Sequence, residues 1–431
     1  MATRFHIGMG PTIDRQDEPA TGMGDRSIAP ILCFLAGLTV LLPVAPLARV
    51  TLFDLVAAGL LVGYWSSVST MLRGTVALLT VSIAAMLFSA YVNGSGMAAF
   101  VGRAYSPVLL MLEIAGYAIL IRNTSDTGRM ALVVGAMLGI CCHFFYPNEE
   151  RVLTNPIKFL IGIPLGVGVV AAYALAWHNR KPSVGFVVLL MISYAVMCFL
   201  VGSRSVGGVY FVSALLLSVI GRVRMPANYA SFAPMMIVIA GLLGYGFTEL
   251  YTFLAIKGFF GNQAAGIAVF QSSFGSILLG GRPEIIVNFS GIRDAPLLGV
   301  GIGNYPSVYL YEMLSLSVYS SDDVFDIQNI LYHSSLFATA FESGIIAALF
   351  WAFLLYRAVF VIPLMSILPV GIRALVLPLT LISVWNILYS PPIPYNRFIM
   401  GISLAFIFHL YSHWKQERTN DARLATSPPS D

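Results

Sequence analysis

Between Gly280 and Leu336 the chain collects the side chains best suited to chemistry: Arg282, Arg293, tyrosines that include Tyr305 and Tyr309, the aspartates Asp322, Asp323 and Asp326, and His333. A guanidinium is permanently charged, weakly hydrated and forked, which suits it to phosphate oxygens. An imidazole is the usual general base near neutral pH. Arginines beside a histidine therefore point to an anionic ligand, such as a lipid pyrophosphate head, and a proton to be moved. The bland alternatives are arginines snorkelling at a membrane surface and a histidine that merely caps a helix. Arg204, in LVGSRSVGG between two apolar runs, is the sharpest arginine, because a charge so close to hydrocarbon costs several kcal/mol unless paired, about 3 by insertion scales. Gly207 and Gly208 beside it allow close approach. Glu342 follows His333 by about two and a half turns, on another helix face, so it cannot orient the ring directly.

Other groups in the stretch are weaker. Tyr305 and Tyr309 could offer flat faces to sugar rings, or could simply anchor the chain at an interface. The GVGIGNY run, Gly299 to Tyr305, lacks the preceding strand of a nucleotide loop and reads as a tight turn whose N–H groups could still nest an anion. The three aspartates carry oxygen ligands but no histidine cluster, so a solvated acidic loop is expected and no metal site.

The elements that hold these residues must be membrane helices. The 431 residues are 58% hydrophobic and 10% charged, with mean hydropathy +0.83, whereas soluble domains carry about 25% charged residues. Runs of roughly 20 apolar residues recur, and about twelve spans are expected, near 29–48, 51–67, 75–92, 106–122, 130–146, 157–177, 184–202, 206–220, 231–248, 336–356, 372–390 and 397–413. The expected organisation is a disordered cytoplasmic tail at 1–27, about nine spans within 28–248, an external helical loop at 249–335, about three spans within 336–414 and a second unstructured tail at 415–431. Within the loop, 253–260 and 264–279 read as interfacial helices. With the amino terminus inside, the cytoplasmic loops collect fifteen of the 24 Lys and Arg residues and the other side nine, so both termini face the cytoplasm. Seven of those nine are arginines.

That placement restricts the reaction. No GxxxxGK[ST] motif occurs, and the only sizeable polar surface faces the side without ATP. Any transfer there must use a substrate activated before it crossed the membrane. No cofactor and no nucleic-acid partner are expected. Asp54 and Glu113 are isolated acids within apolar runs, and Gly135/Gly139 and Gly162/Gly166 have the spacing of closely packed helices. The four cysteines, Cys33, Cys141, Cys142 and Cys198, read as small buried hydrophobes.

Four features taken in order resemble the O-antigen ligase/polymerase superfamily of bacterial envelope glycosyltransferases. They are GSRS at 202–205, Arg282 in GGRPEII followed by PLLGVGIGNY at 296–305, His333 opening HSSLFATAFESG with its Glu342 and Gly344, and Asp54 in TLFDL. The likeness is carried by 200–415, and before that by span pattern alone. It implies an all-α, glycosyltransferase-C-like polytopic bundle in the bacterial inner membrane, acting on undecaprenyl-pyrophosphate-linked glycans at the periplasmic face. By that resemblance Arg204, Arg282 and Arg293 would hold the pyrophosphate, Arg282 also stabilising the leaving charge, and His333 would take the acceptor hydroxyl's proton. Membrane lipid, a chain-length regulator and a flippase of the same pathway are the implied partners. The resemblance spans polymerases and ligases. A polymerase is expected, because no loop looks dedicated to a lipid A–core acceptor; the alternative is a ligase that uses one. A transporter or flippase of the same lipids is the alternative outside enzymes, disfavoured because the halves show no repeat and the polar residues gather at one surface.

Overall fold

The computed structural model describes residues 28–44, 50–142, 161–177, 183–220, 229–272, 282–303, 305–316 and 333–426. The predicted tail at 1–27 and the aspartates Asp322, Asp323 and Asp326 lie outside them. The helices in order are α1 (Ile28–Leu38), α2 (Leu52–Val92), α3 (Met97–Arg122), α4 (Asp126–Cys142), α5 (Gly162–Ala176), α6 (Val184–Leu200), α7 (Arg204–Ile220), α8 (Tyr229–Ile256), α9 (Asn262–Ser272), α10 (Pro283–Asp294), α11 (Ser307–Leu316), α12 (Ser335–Val361), α13 (Val370–Tyr389) and α14 (Pro394–Thr426). Among the described residues the only β pairing is one bridge, Pro43 to Thr51.

This is a membrane protein by its helices. Among the described residues four helices, α2, α3, α12 and α13, are long and apolar enough to cross a bilayer. The apolar windows of α3 and α13 are 78% and 72% buried and that of α2 only 33%, so α3 and α13 are central and α2 is peripheral. Phe88 and Tyr91 of α2 turn outward, as side chains facing lipid would. The core continues along α14, where Phe398, Ile399, Met400, Ile402 and Leu404 are fully buried. Small residues set the closest crossings: Gly37 of α1 lies against Leu132 of α4, and Gly135 of α4 against Phe34 of α1.

Local chemistry explains several boundaries. Thr51 and Asp54 form a capping box at the start of α2. Ser334 caps α12 by accepting from the Phe337 N–H at 3.0 Å. Pro283 sits at the first turn of α10, where its missing N–H costs nothing.

Two predicted boundaries are corrected. The sequence predicts a turn between spans 51–67 and 75–92, but helix runs through Arg73, and the backbone leaves helical geometry at Tyr64 (φ −128°, ψ 17°). The segment VSTMLRG holds no proline, and one arginine with one glycine does not break a helix. At the other end, α14 continues through Thr426, where an unstructured tail is predicted from residue 415. His413 pairs with Glu417 at 3.4 Å and Arg418 lies over the Trp414 ring at 4.9 Å, contacts that a helix supplies one turn apart. Of the two predicted interfacial segments, the first is divided between the end of α8 and a turn, and the second begins within α9.

α12 is a broken helix. At Gly344 the backbone has φ 85° and ψ 169°, which separates a short outer piece from the long apolar inner one. The loop after α10 is stitched into the break: Val300 N–H donates to Phe341 O at 2.9 Å, Gly301 N–H to Glu342 O at 3.1 Å, and Ile345 N–H to Pro296 O at 2.9 Å. The end of α2 fastens the same loop from the other side. Ser89 Oγ donates to Leu298 O at 2.5 Å, and Asn93 Nδ2 to Leu298 O at 3.3 Å. The Ile302 N–H donates to Ser95 Oγ at 2.9 Å. Irregular backbone here is tolerated because the Phe341 and Glu342 carbonyls and the Ile345 N–H find protein partners.

Candidate functional site

Arg282 and His333 lie on one seam. α10, which begins just after Arg282, packs on the outer piece of α12, which begins just after His333; Phe289 and Phe337 stand 5.1 Å apart between ring centroids. Ser335 Oγ donates to Ser390 O at 3.1 Å, and Arg282 lies close enough to Tyr389, the preceding residue, to act on its phenol electrostatically. The ends of α12 and α13 thus flank the start of α10. Arg282 pairs with Glu284 at 3.3 Å, its side chain 28% exposed and Glu284 buried. It is the N-cap of a twelve-residue helix, so the positive end of that helix reinforces its charge. His333 is half-buried at the helix mouth.

Beside the seam is a polar cluster that sequence reasoning missed. Arg103 of α3 reaches Glu342 of α12 through Nε at 3.1 Å and Nη2 at 2.8 Å, and its Nη2 also donates to the Tyr305 hydroxyl at 3.0 Å. Tyr305 donates its O–H to the same Glu342 Oε1, and the Gly303 N–H also points at this carboxylate. Burial first, and then the negative charge of Glu342, pushes the Tyr305 phenol well above the ordinary tyrosine range, so it stays a donor. Glu342 is 2% exposed and the Arg103 side chain 22%. The only sequence signals for this cluster are that Arg103 falls on the side where arginine is disfavoured and that Glu342 precedes Gly344.

The remaining predicted residues are placed differently. Tyr305 and Tyr309 do not offer open faces to sugars: both are buried, their rings 5.5 and 5.3 Å from that of Phe341, and the Tyr309 hydroxyl donates to Asp294 at 3.0 Å. The loop brings them inward because it is sewn to the break in α12. For the same reason the GVGIGNY turn is no open anion nest, since its Val300, Gly301 and Ile302 N–H groups are spent on Phe341, Glu342 and Ser95. Arg293 is 78% exposed and pairs with Asp294 at 3.2 Å. It lies eleven residues along α10 from Arg282, about 16 Å between the two backbone positions. Arg204, at the start of α7, stands over the Tyr251 ring of α8 at 5.5 Å, and α7 also packs on α13, a helix of the seam.

A second charged group lies deeper. Arg397 of α14 contacts Glu113 of α3 (Nε to Oε1, 2.5 Å) and Asp54 of α2 (Nη2 to Oδ2, 3.5 Å). All three side chains are at most 1% exposed. Asp54 and Glu113, isolated acids in the sequence, are joined by an arginine that charge counting assigns to an external loop. Among the described residues, no group of three or more His, Cys, Asp and Glu side chains converges to hold a metal. Comparison of the chain with family models, with curated proteins and with solved structures finds no match.

Proposed function

We propose that this protein is an inner-membrane glycosyltransferase of the O-antigen ligase/polymerase type, which polymerises undecaprenyl-pyrophosphate-linked repeat units at the external face. The observation that carries the reading is the seam where α10, beginning just after Arg282, packs on the outer piece of α12, beginning just after His333. An acceptor sugar hydroxyl attacks the anomeric carbon of the lipid-linked glycan. The new C–O bond forms as the bond to pyrophosphate breaks, with inversion, and the lipid pyrophosphate leaves carrying the electron pair. Arg282 and the helix terminus stabilise that leaving charge, and His333 accepts the hydroxyl proton. Arg103 is fixed beside the seam by Glu342 and Tyr305. About twelve spans with both termini cytoplasmic complete the reading, from the apolar runs and the charge distribution.

The reading is supported by the ends that meet. The loops at 93–96 and 295–303 join through Ser89, Asn93 and Ser95, and those at 333–334 and 390–393 through Ser335 and Ser390. Charge counting puts all four loops on the external side, and the four chain ends that carry the seam come from there.

The test is reconstitution into liposomes with a lipid-pyrophosphate-linked repeat unit, with and without lipid A–core. A product ladder from donor alone is expected. His333→Ala should lower transfer by about 10²–10⁴-fold and Arg282→Ala by about 10²–10³-fold, with the folded protein unchanged by circular dichroism. Transfer only to the core acceptor would make the protein a ligase. Movement of donor across the bilayer without transfer, unaltered by His333→Ala, would replace the enzyme with a transporter.

A further inference from the structure

The buried cluster of Asp54, Glu113 and Arg397 plays no part in that reaction, and its charges do not balance. Two carboxyl groups face one guanidinium in a site with no exposed side chain. Asp54 Oδ2 is well supplied, accepting from the Thr51 N–H at 2.7 Å and the Thr51 hydroxyl at 3.2 Å besides Arg397. Glu113 Oε1 takes the Arg397 Nε. Among the described residues, the other oxygen of each acid, Asp54 Oδ1 and Glu113 Oε2, has no hydrogen-bond partner, and neither does the Tyr117 hydroxyl one turn from Glu113. Yet the two acids meet adjacent donors, Nη2 and Nε, of one guanidinium fork, which sets the carboxyl groups side by side. Two carboxylates can offer each other only lone pairs. A hydrogen bond between them requires a proton, and a single proton both completes that bond and brings the cluster to neutrality.

We propose that Asp54 and Glu113 form a binding site for one proton, held between the two carboxyl groups beneath Arg397 in the centre of the bundle. The groups facing it are Asp54 and the Thr51 backbone from α2, Glu113, Tyr117 and Tyr105 from α3, and Arg397 from α14. Among these Arg397 is the one cation. Glu113 packs over Gly401 of α14, so the acid is confined between helices and the proton is shielded from solvent on every side. Uncompensated, a second negative charge here would carry a desolvation cost of the kind that drives buried acids to neutralise.

The purified full chain in detergent provides the test, by isotope-edited infrared difference spectroscopy with labelled aspartate and glutamate. A protonated-carboxyl C=O band should persist through neutral pH and disappear in both E113Q and D54N. Each substitution keeps a donor between the two side chains and leaves the cluster neutral, so the thermal midpoint should move by less than about 2 °C. A band unchanged in both variants would overturn the proposal, as would midpoints lowered by more than about 10 °C in both. A wild-type midpoint that depends on sodium at constant ionic strength, and loses that dependence in E113Q, would assign the bridging charge to a metal cation in place of the proton.

Discussion

Gly344→Ala is expected to destabilise the protein by about 4–6 kcal/mol and to abolish transfer, through the backbone alone. The residue has φ 85° and ψ 169°, a region open essentially to glycine, where any other residue costs about 1–3 kcal/mol. A methyl group there would also overlap the Leu297 backbone carbonyl. Opposite it, Gly299 (φ 67°) lies against the Glu342–Ser343 peptide, so neither chain can retreat. The loop must lift, and the hydrogen bonds at Val300, Gly301 and Ile345 go with it, each worth about 1 kcal/mol. Glu342 then loses the Gly303 N–H and Tyr305, leaving a buried carboxylate with Arg103 alone. Gly74→Ala is the control, since Gly74 is helical with nothing near its Cβ position, and that variant should be as stable as the parent or slightly more so. Thermal unfolding in detergent of the two variants beside the parent decides it: equal midpoints for Gly344→Ala and the parent would remove the break in α12 as a structural keystone.

How far the sequence reveals this molecule depends on the range over which each signal acts. Apolar runs and caps are local, and they predict helices at α5, α6, α7, α12 and α13 close to where they lie, whereas α3 begins nine residues before its expected span. Breaks are less local. Nothing in SSVSTMLRG distinguishes a helix that continues past Arg73 from one that turns, and the departure at Tyr64 falls within an apolar run. Arg282 and His333 are legible in the sequence only as a pair of residue types expected at one surface. The partner of Glu342 is not legible, because Arg103 lies 239 residues away and no periodicity connects them. The tyrosines show the opposite failure. Tyr305 and Tyr309 look like surface aromatics while the loop is imagined as free, and become core once its N–H groups are committed to α12. Asp54 and Glu113 could each be recognised as too costly to stand alone in apolar helices, which demands a counter-charge without identifying it.

That counter-charge carries the other large effect. Arg397→Ala is expected to cost about 3–5 kcal/mol, the penalty of stranding buried charge by removing one partner. The guanidinium reaches Glu113 through Nε and Asp54 through Nη2, so one side chain bridges three helices. Lysine presents a single ammonium in place of a fork, and Arg397→Lys should therefore recover less than half of the loss. Replacing the whole group, Arg397→Met with Asp54→Asn and Glu113→Gln, should recover most of it, because no charge is then left to solvate. Unfolding midpoints of the four proteins provide the measurement, and an Arg397→Ala variant as stable as the parent would mean that the cluster contributes nothing to holding α2, α3 and α14 together. The cluster lies ten residues along α3 from Arg103, about 15 Å deeper in the bundle. Its loss should therefore reduce transfer only as far as it reduces the folded fraction, whereas His333→Ala should remove transfer from a protein of unchanged stability. Measuring activity and midpoint on the same samples separates a residue that supports the bundle from one that acts at its mouth.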